Sequence, residues 1–504
     1  MTGFIVFIGC VLMLALGYAL YGRLAEKIYG GDLDRRMPCD TMGDGVDYVR
    51  LPTWKVFLIQ LLNIAGLGPV FGALSGCLFG PVALVWIVFG CILGGAMHDF
   101  LAARMSADRG GANLPQLVGE YLGNGARRTM RNLCILLLLM VGVVFTTGPA
   151  GMLHTIFSSI PTLGWCAIIM SYYLLATILP INTIIGKLYP IFGALFLFMA
   201  LGIALALPLS GHPLLPELDL TTAQHPAHFS FWPMIFVTIA CGAISGFHAT
   251  QSPMMVRCLG EARHMRPVFY GAMITEGAVA LIWATVGLTL RDVLTDYTLT
   301  AGELRLEPEA ADTLRLTFQD LILHNPASAV TQACTSLLGQ VGAAVAVLGV
   351  VVLPITSGDT AMRSCRLIVA ESAGLHQSRL RNRLLIALPL FAAVILISNL
   401  PFSIIWRYFG WANQTLACFT LWSISVCLLR RGRLHWLSTL PALFMTTMCT
   451  TFLLHSPDCL IELPVGVSTG IGCAVAALCL VLLLRGSRSA AAPASPQPPA
   501  EADK

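Results

Sequence analysis

A chain of 504 residues that is 56% hydrophobic and only 11% charged is far from the composition of a soluble protein, where about a quarter of residues carry charge. Its net charge of +4 is too small to argue for nucleic acid, and no aromatic-basic interleaving or phosphate-cradling loop suggests otherwise. The sixteen cysteines are scattered through apolar runs, with no CxxC pair and no Cys/His cluster at metal spacing, so they read as small membrane-core residues and no cofactor is expected.

Apolar runs long enough to cross a bilayer, about 17 to 25 residues, fall at 2–22, 54–77, 80–103, 131–153, 164–180, 187–208, 231–256, 267–290, 331–357, 384–400, 408–429, 434–454 and 464–484. They predict an all-α membrane protein of thirteen transmembrane helices. The first run, Phe4 to Leu20, lacks a charged leader and a small-residue cleavage site, so it reads as a retained span. With the N-terminus outside, every Lys and Arg except Arg291, Arg305, Arg315 and Arg407 falls on or near the cytoplasmic side. The C-terminus is then cytoplasmic.

Two of the spans are interrupted. In 231–256 the apolar run gives way after Ala240 to Gly242, Ser245, Gly246, His248, Thr250, Gln251 and Ser252. Such groups at bilayer depth are costly unless the backbone there lines a cavity. The span 54–77 carries a matching interruption at Asn63, Gly66, Gly68 and Pro69. Paired Gly-broken helices point to the binding site of an inverted-repeat transporter, so the substrate-binding candidates are Asn63, Gly66, Gly68, Ser245, Gly246, His248 and Gln251. The N–H groups of a half-helix starting near Ser245 suit a carboxylate. Gly72, Gly76 and Gly80 continue a four-residue spacing and read as a ridge for close helix packing.

The order of spans resembles the LeuT-like (APC-superfamily) transporters. That resemblance implies a five-plus-five inverted repeat, 54–208 and 231–429, preceded by a helix and cytoplasmic loop in 1–53. Two further helices follow in 430–485 and an Ala/Pro/Ser-rich disordered tail in 486–504. The acidic outer loop 291–325 either caps the outer entrance or has no role. In sodium-coupled LeuT-like proteins, hydroxyls on the eighth repeat helix join carbonyls of the first broken helix around the ion. Thr356 and Ser357, with Asp359, match that place, and hard oxygen ligands suit sodium. Lys187 matches by rank the fifth repeat helix, where some proton-coupled relatives put an ammonium in place of sodium; alternatively it is a snorkelling end residue.

Other polar residues inside spans are candidates for coupling or gating. Glu276 lies mid-span, either as a proton carrier or cation partner or as a neutral acid bonded between helices. His248 either moves a proton or is a hydrogen-bonded structural residue. His98 and Asp99, near Arg104 at a cytoplasmic helix end, read as an inner-gate network. Asn413 and Gln414 supply further polar contacts.

The strings GPVFGALSGCLFGPVALVWIVFGCILGGAMHDF (68–100), NTIIGKLYPIFGAL (182–195), SGFHATQSPMMVRCLG (245–260), RPVFYGAMITEGAVALIWA (266–284), LPITSGDTAMRSCRLIVAE (353–371) and WANQTLA (411–417) resemble the carbon starvation protein family of bacterial inner-membrane transporters. The resemblance covers most of the chain from about Gly45 to Ala417. It implies cation-coupled import of peptides or pyruvate across the cytoplasmic membrane when carbon is short. The partners are then a small-molecule substrate, a proton or sodium ion, and the lipid bilayer. The chain resembles a shorter branch, ending soon after the last helix, and has Ile59 and Gln60 where longer members carry two histidines. A nutrient sensor with little transport and a sodium-coupled amino-acid transporter are the alternatives. Enzyme chemistry is not expected: Thr356 replaces the first glycine of a GxGD protease string, and Ala73 and Ala243 occupy the glycine place of GxSG.

Overall fold

The computed structural model describes residues 2–183, 185–216, 218, 225–298, 315–400, 402–456 and 461–489. The middle of the outer loop with Arg305, and the tail beyond residue 489, lie outside the described residues. Among the described residues ten helices are long and apolar enough to cross a membrane, or eleven if one bent pair counts as a single span. In chain order the elements are α1 (Thr2–Tyr29), the bent pair α2 (Thr53–Ala65) and α3 (Gly68–Cys77), α4 (Val82–Asp108), α5 (Leu114–Leu122), α6 (Asn124–Ile156), α7 (Thr162–Ile178) and α8 (Ile185–Leu209). They continue with α9 (Phe231–Thr238), α10 (Gly246–Val256), α11 (Ala262–Leu290), an antiparallel ribbon of β1 (Leu294–Thr298) and β2 (Arg315–Thr317), α12 (Phe318–His324) and α13 (Pro326–Ser372). The last four are α14 (Leu380–Ile397), α15 (Phe402–Arg430), α16 (Trp436–His455) and α17 (Val465–Ser489). Two expected spans fall outside even the eleven: α7 has only 17 residues, and 231–256 is split into α9 and α10.

Both interruptions have a backbone cause. Gly66 takes φ +43° at the end of α2, a conformation that side-chain-bearing residues avoid. Pro69 sits at the start of α3, where its missing N–H is harmless, and the two pieces bend by 53°. Between α9 and α10 Gly242 takes φ +86°, and the segment 239–245 is not helical.

The two broken helices pack against each other through glycine. A Cβ on Gly68 would stand 2.1 Å from Cys241 Cβ, one on Gly72 2.8 Å from the Thr238 carbonyl oxygen, and one on Gly76 2.2 Å from Ile239 Cγ1. The predicted small-residue ridge is therefore the seat of the second interruption. Gly80 is not part of it: with φ +84° it makes the turn from α3 into α4.

All eleven residues of α10 are buried, as is the stretch of α4 from Ala96 to Ala107. By contrast α1 and α17 expose Leu12, Leu16, Leu20, Leu478 and Leu482, a lipid-facing surface that water would penalise. The polar residues are thus inside and the greasy ones outside, as a bilayer requires.

Candidate functional site

One cluster joins the first interruption to α13, α7 and α8. Thr356 Oγ1 and Ser357 Oγ both reach the carbonyl oxygen of Leu62, at 2.9 and 3.1 Å, and the Gly66 N–H donates to Ser357 Oγ at 3.0 Å. Within the same turn of α13, Asp359 accepts from Tyr172 Oη at 2.5 Å and lies 3.0 Å from Tyr189 Oη. Tyr189 Oη also stands 2.9 Å from Asn63 Oδ1 and 2.9 Å from the Thr356 carbonyl. Three acceptor oxygens thus converge on a hydroxyl with one proton. A site so rich in oxygen suits a proton or a hard cation; the residues that would hold sodium are Ser357, Thr356 and the Leu62 carbonyl.

The residue of α8 that serves this cluster is Tyr189, not Lys187. Two positions on a helix differ by about 200°, so with Tyr189 turned inward Lys187 is exposed. The predicted substitution of its ammonium for sodium is therefore not what the fold builds.

A second cluster joins α4, α10 and α11. Asp99 Oδ2 lies 2.8 Å from His248 Nδ1, and Asp99 Oδ1 lies 2.8 Å from His98 Nδ1. His248 Nε2 faces Glu276 Oε2 at 3.5 Å, and His98, Asp99, His248 and Glu276 are completely buried. This corrects the inner-gate reading: Arg104 turns away to the Gly30 carbonyl at 2.5 Å and stacks 5.2 Å over the Tyr29 ring. Five positions along α4 put Arg104 about 140° from Asp99.

The other substrate candidates do not share one space. Asn413 Oδ1 accepts from Ser245 Oγ at 3.0 Å and from the Phe247 N–H at 2.7 Å, so part of the helix end expected to meet a carboxylate is already capped. Gly246 permits this close approach, since a Cβ there would stand 2.3 Å from the Asn413 carbonyl oxygen. Gln251 bonds Thr250 Oγ1 at 2.9 Å, and Gln414 bonds the Phe236 carbonyl at 2.8 Å.

A cavity of about 810 Å³ lies over the seam of the two broken helices, lined by Gly68, Gly72, Cys241, Thr147, Phe409 and Asn325 among others. Of the predicted substrate residues Gly68 alone lines it. The segment Ile322 to Ala327, at the end of the loop expected to cap the entrance, forms part of its wall. Phe145 sits between Phe409 and Phe247, with ring centroids 6.1 and 6.2 Å away.

The opposite, arginine-rich face is latched. Asp47, in the loop after α1, lies 2.8 Å from Arg363 Nη1 and 3.1 Å from Arg366 Nη2. Arg363 also donates to the carbonyls of Ala176 and Leu179, and Arg366 to Gln377. Burial pushes the Asp47 carboxyl up, but Arg366, Arg363 and Arg257 outweigh it and hold it well below the usual carboxylate range. Asp108 makes a second tie, to Arg35 and to Arg431 at 2.6 Å.

Sequence reasoning missed Tyr172, Tyr189, Cys241 and Asp47. Tyrosine and cysteine in apolar helices read as packing, and Asp47 stands in an ordinary polar loop. The signal available was that Tyr189 falls on the same helix as Lys187, one face round.

Discontinuous helices and a buried polar interior within a lipid-facing helical bundle define a polytopic membrane protein of the transporter class. The match to the carbon starvation protein CstA family spans residues 2–161 and 150–452, and the chain belongs to that family. It is 41% identical over 333 residues to an uncharacterized membrane protein of Haemophilus influenzae, covering 56% of this chain and 90% of that one. To the peptide transporter CstA of Mycobacterium tuberculosis it is 24% identical over 546 residues, 85% of this chain and 71% of the relative. To the pyruvate/proton symporter BtsT of Escherichia coli it is 26% identical over 329 residues, 53% of this chain and 46% of the relative. Among solved structures, a manganese transporter of Eremococcus coleocola superposes with a TM-score of 0.50 over 88% of this chain and 98% of that one, at 15% identity. At that identity the likeness is one of fold alone.

Proposed function

We propose that this protein is a proton-coupled secondary transporter that imports pyruvate or a small peptide across the bacterial cytoplasmic membrane during carbon starvation. The observation that carries the reading is the seam of the two glycine-broken helices, Gly68 against Cys241, lying under a cavity of about 810 Å³ while Asp47 latches the opposite face. A cavity open on one side of a central break and closed on the other is what alternating access requires. On this reading the cavity faces outward, the N-terminus is outside and the C-terminus cytoplasmic. The thirteen expected spans include a five-plus-five inverted repeat, 54–208 and 231–429.

Proton coupling is favoured by the buried line Asp99, His248, Glu276 beside the second break and by the name of the pyruvate/proton relative. Sodium coupling is a second reading, favoured by the oxygens of Thr356, Ser357 and Leu62. The test is uptake of labelled pyruvate and of a labelled small peptide into proteoliposomes. A pH gradient in sodium-free medium is compared with a sodium gradient at constant pH and matched voltage. Accumulation driven by the pH gradient supports the first reading; accumulation only with sodium replaces it with the second. Uptake of neither solute under either gradient leaves a sensor.

A further inference from the structure

Cys241 connects the cavity to the buried acid-histidine cluster. It lines the cavity, and its sulfur lies with a His248 ring nitrogen and a Glu276 carboxylate oxygen in a group whose ligand atoms all fall within 4.8 Å of one another. Thiolate, imidazole and carboxylate are the three ligand types of zinc sites.

The surroundings of His248 are those of a metal ligand. Asp99 Oδ2 lies 2.8 Å from Nδ1, so Nδ1 carries the proton and Nε2 presents its lone pair toward Glu276. The separation of 3.5 Å between Nε2 and Glu276 Oε2 is long for a hydrogen bond. It is close to the ~3.4 Å between two ligands each about 2.1 Å from a tetrahedral ion. His248 Nε2 and both Glu276 oxygens are buried and make no hydrogen bond of good geometry among the described residues, a costly state for polar atoms unless something improves on it. Asp99 is itself held by His98 on its other oxygen, so the outer support is complete.

We propose that Cys241, His248 and Glu276 bind a divalent transition-metal ion of the zinc class, which enters from the cavity on the Cys241 side and keeps its fourth position for water. The ligands come from the non-helical segment between α9 and α10, from α10 and from α11, so the ion ties the second break to its neighbour. Binding does not depend on the transport reading. Its consequence, that zinc inhibits uptake by holding the break fixed, does rest on that reading.

The test uses the full chain, purified in detergent, stripped with chelator and titrated calorimetrically with Zn²⁺ alone, then with Co²⁺ as an optical probe. One ion per chain is expected, with thiolate-to-cobalt charge-transfer absorption. Cys241→Ser, nearly the same size, should abolish that absorption, and Glu276→Gln should weaken binding at least about tenfold. Asp99→Asn should weaken it roughly 10–100-fold, as loss of an outer carboxylate does, while leaving the sulfur signature in place. Cys449→Ser, which breaks a different thiol pair 3.6 Å apart with Cys418, should change nothing. Failure of the wild type to bind, retention of the absorption in Cys241→Ser, or its loss in Cys449→Ser overturns the proposal. The two readings fail separately. Zinc binding without uptake in metal-free vesicles refutes transport alone, and uptake without zinc binding refutes the metal site alone.

Discussion

The Gly66 amide donates to Ser357 Oγ at 3.0 Å, so the N–H at the end of α2 finds its acceptor on a helix nearly three hundred residues later. Ser357→Ala removes that acceptor and leaves a buried N–H unpaired, a loss of about 1–3 kcal/mol. The expected outcome is a lower midpoint of thermal unfolding in detergent. If sodium is the coupling ion, the same variant also loses the sodium dependence of uptake.

Glu276→Gln keeps shape and removes the acid. Proton-driven accumulation of substrate should be abolished, while the protein stays folded and substrate exchange persists. Comparing accumulation with exchange in the same vesicles checks this; accumulation at the wild-type level assigns Glu276 a structural role.

On α8 the two candidates separate cleanly. Lys187→Gln should leave uptake and thermal stability within about 0.5 kcal/mol of wild type, because an exposed side chain is changed. Tyr189→Phe removes the hydroxyl shared by Asn63, Thr356 and Asp359. It should cost about 1–3 kcal/mol and reduce uptake sharply. Equal behaviour of the two variants would contradict the geometry.

Asp47→Asn leaves Arg363 and Arg366 buried without their counter-charge, a loss of about 3–5 kcal/mol. The sign of the pH dependence follows from the depressed carboxyl. Its contribution is fully present above the ordinary Asp value of about 3.9 and is lost as pH falls below that toward the folded-state value. Thermal unfolding of wild type and variant should therefore differ by a constant amount from neutral pH down to about pH 5, and converge below about pH 4.

Both interruptions were legible in the sequence because glycine, serine and histidine inside an apolar run leave few alternatives at membrane depth. The hydroxyls at Thr356 and Ser357 drew notice through the resemblance to LeuT-like transporters rather than through any local pattern. Which polar groups meet was not legible. Asp99 and His248 are 149 positions apart, and their pairing depends on how α10 settles between α4 and α15. Helix periodicity does not carry that information. Gly246 shows the same limit: its value lies in letting Asn413 approach, a partner that only the folded bundle supplies. Lys187 was misleading because charge drew attention to the wrong face of α8.

The contact between Gly68 and Cys241 leaves no room for a single methyl group, which has a mechanical consequence. The floor of the cavity and the sulfur beside His248 are meshed like gear teeth, so a tilt of α3 toward Cys241 must displace the segment 239–245. A solute that settles on that floor and rocks α3 by even an ångström displaces Cys241 against the acid-histidine row. The stroke of the machine would then be set by the smallest side chain in it.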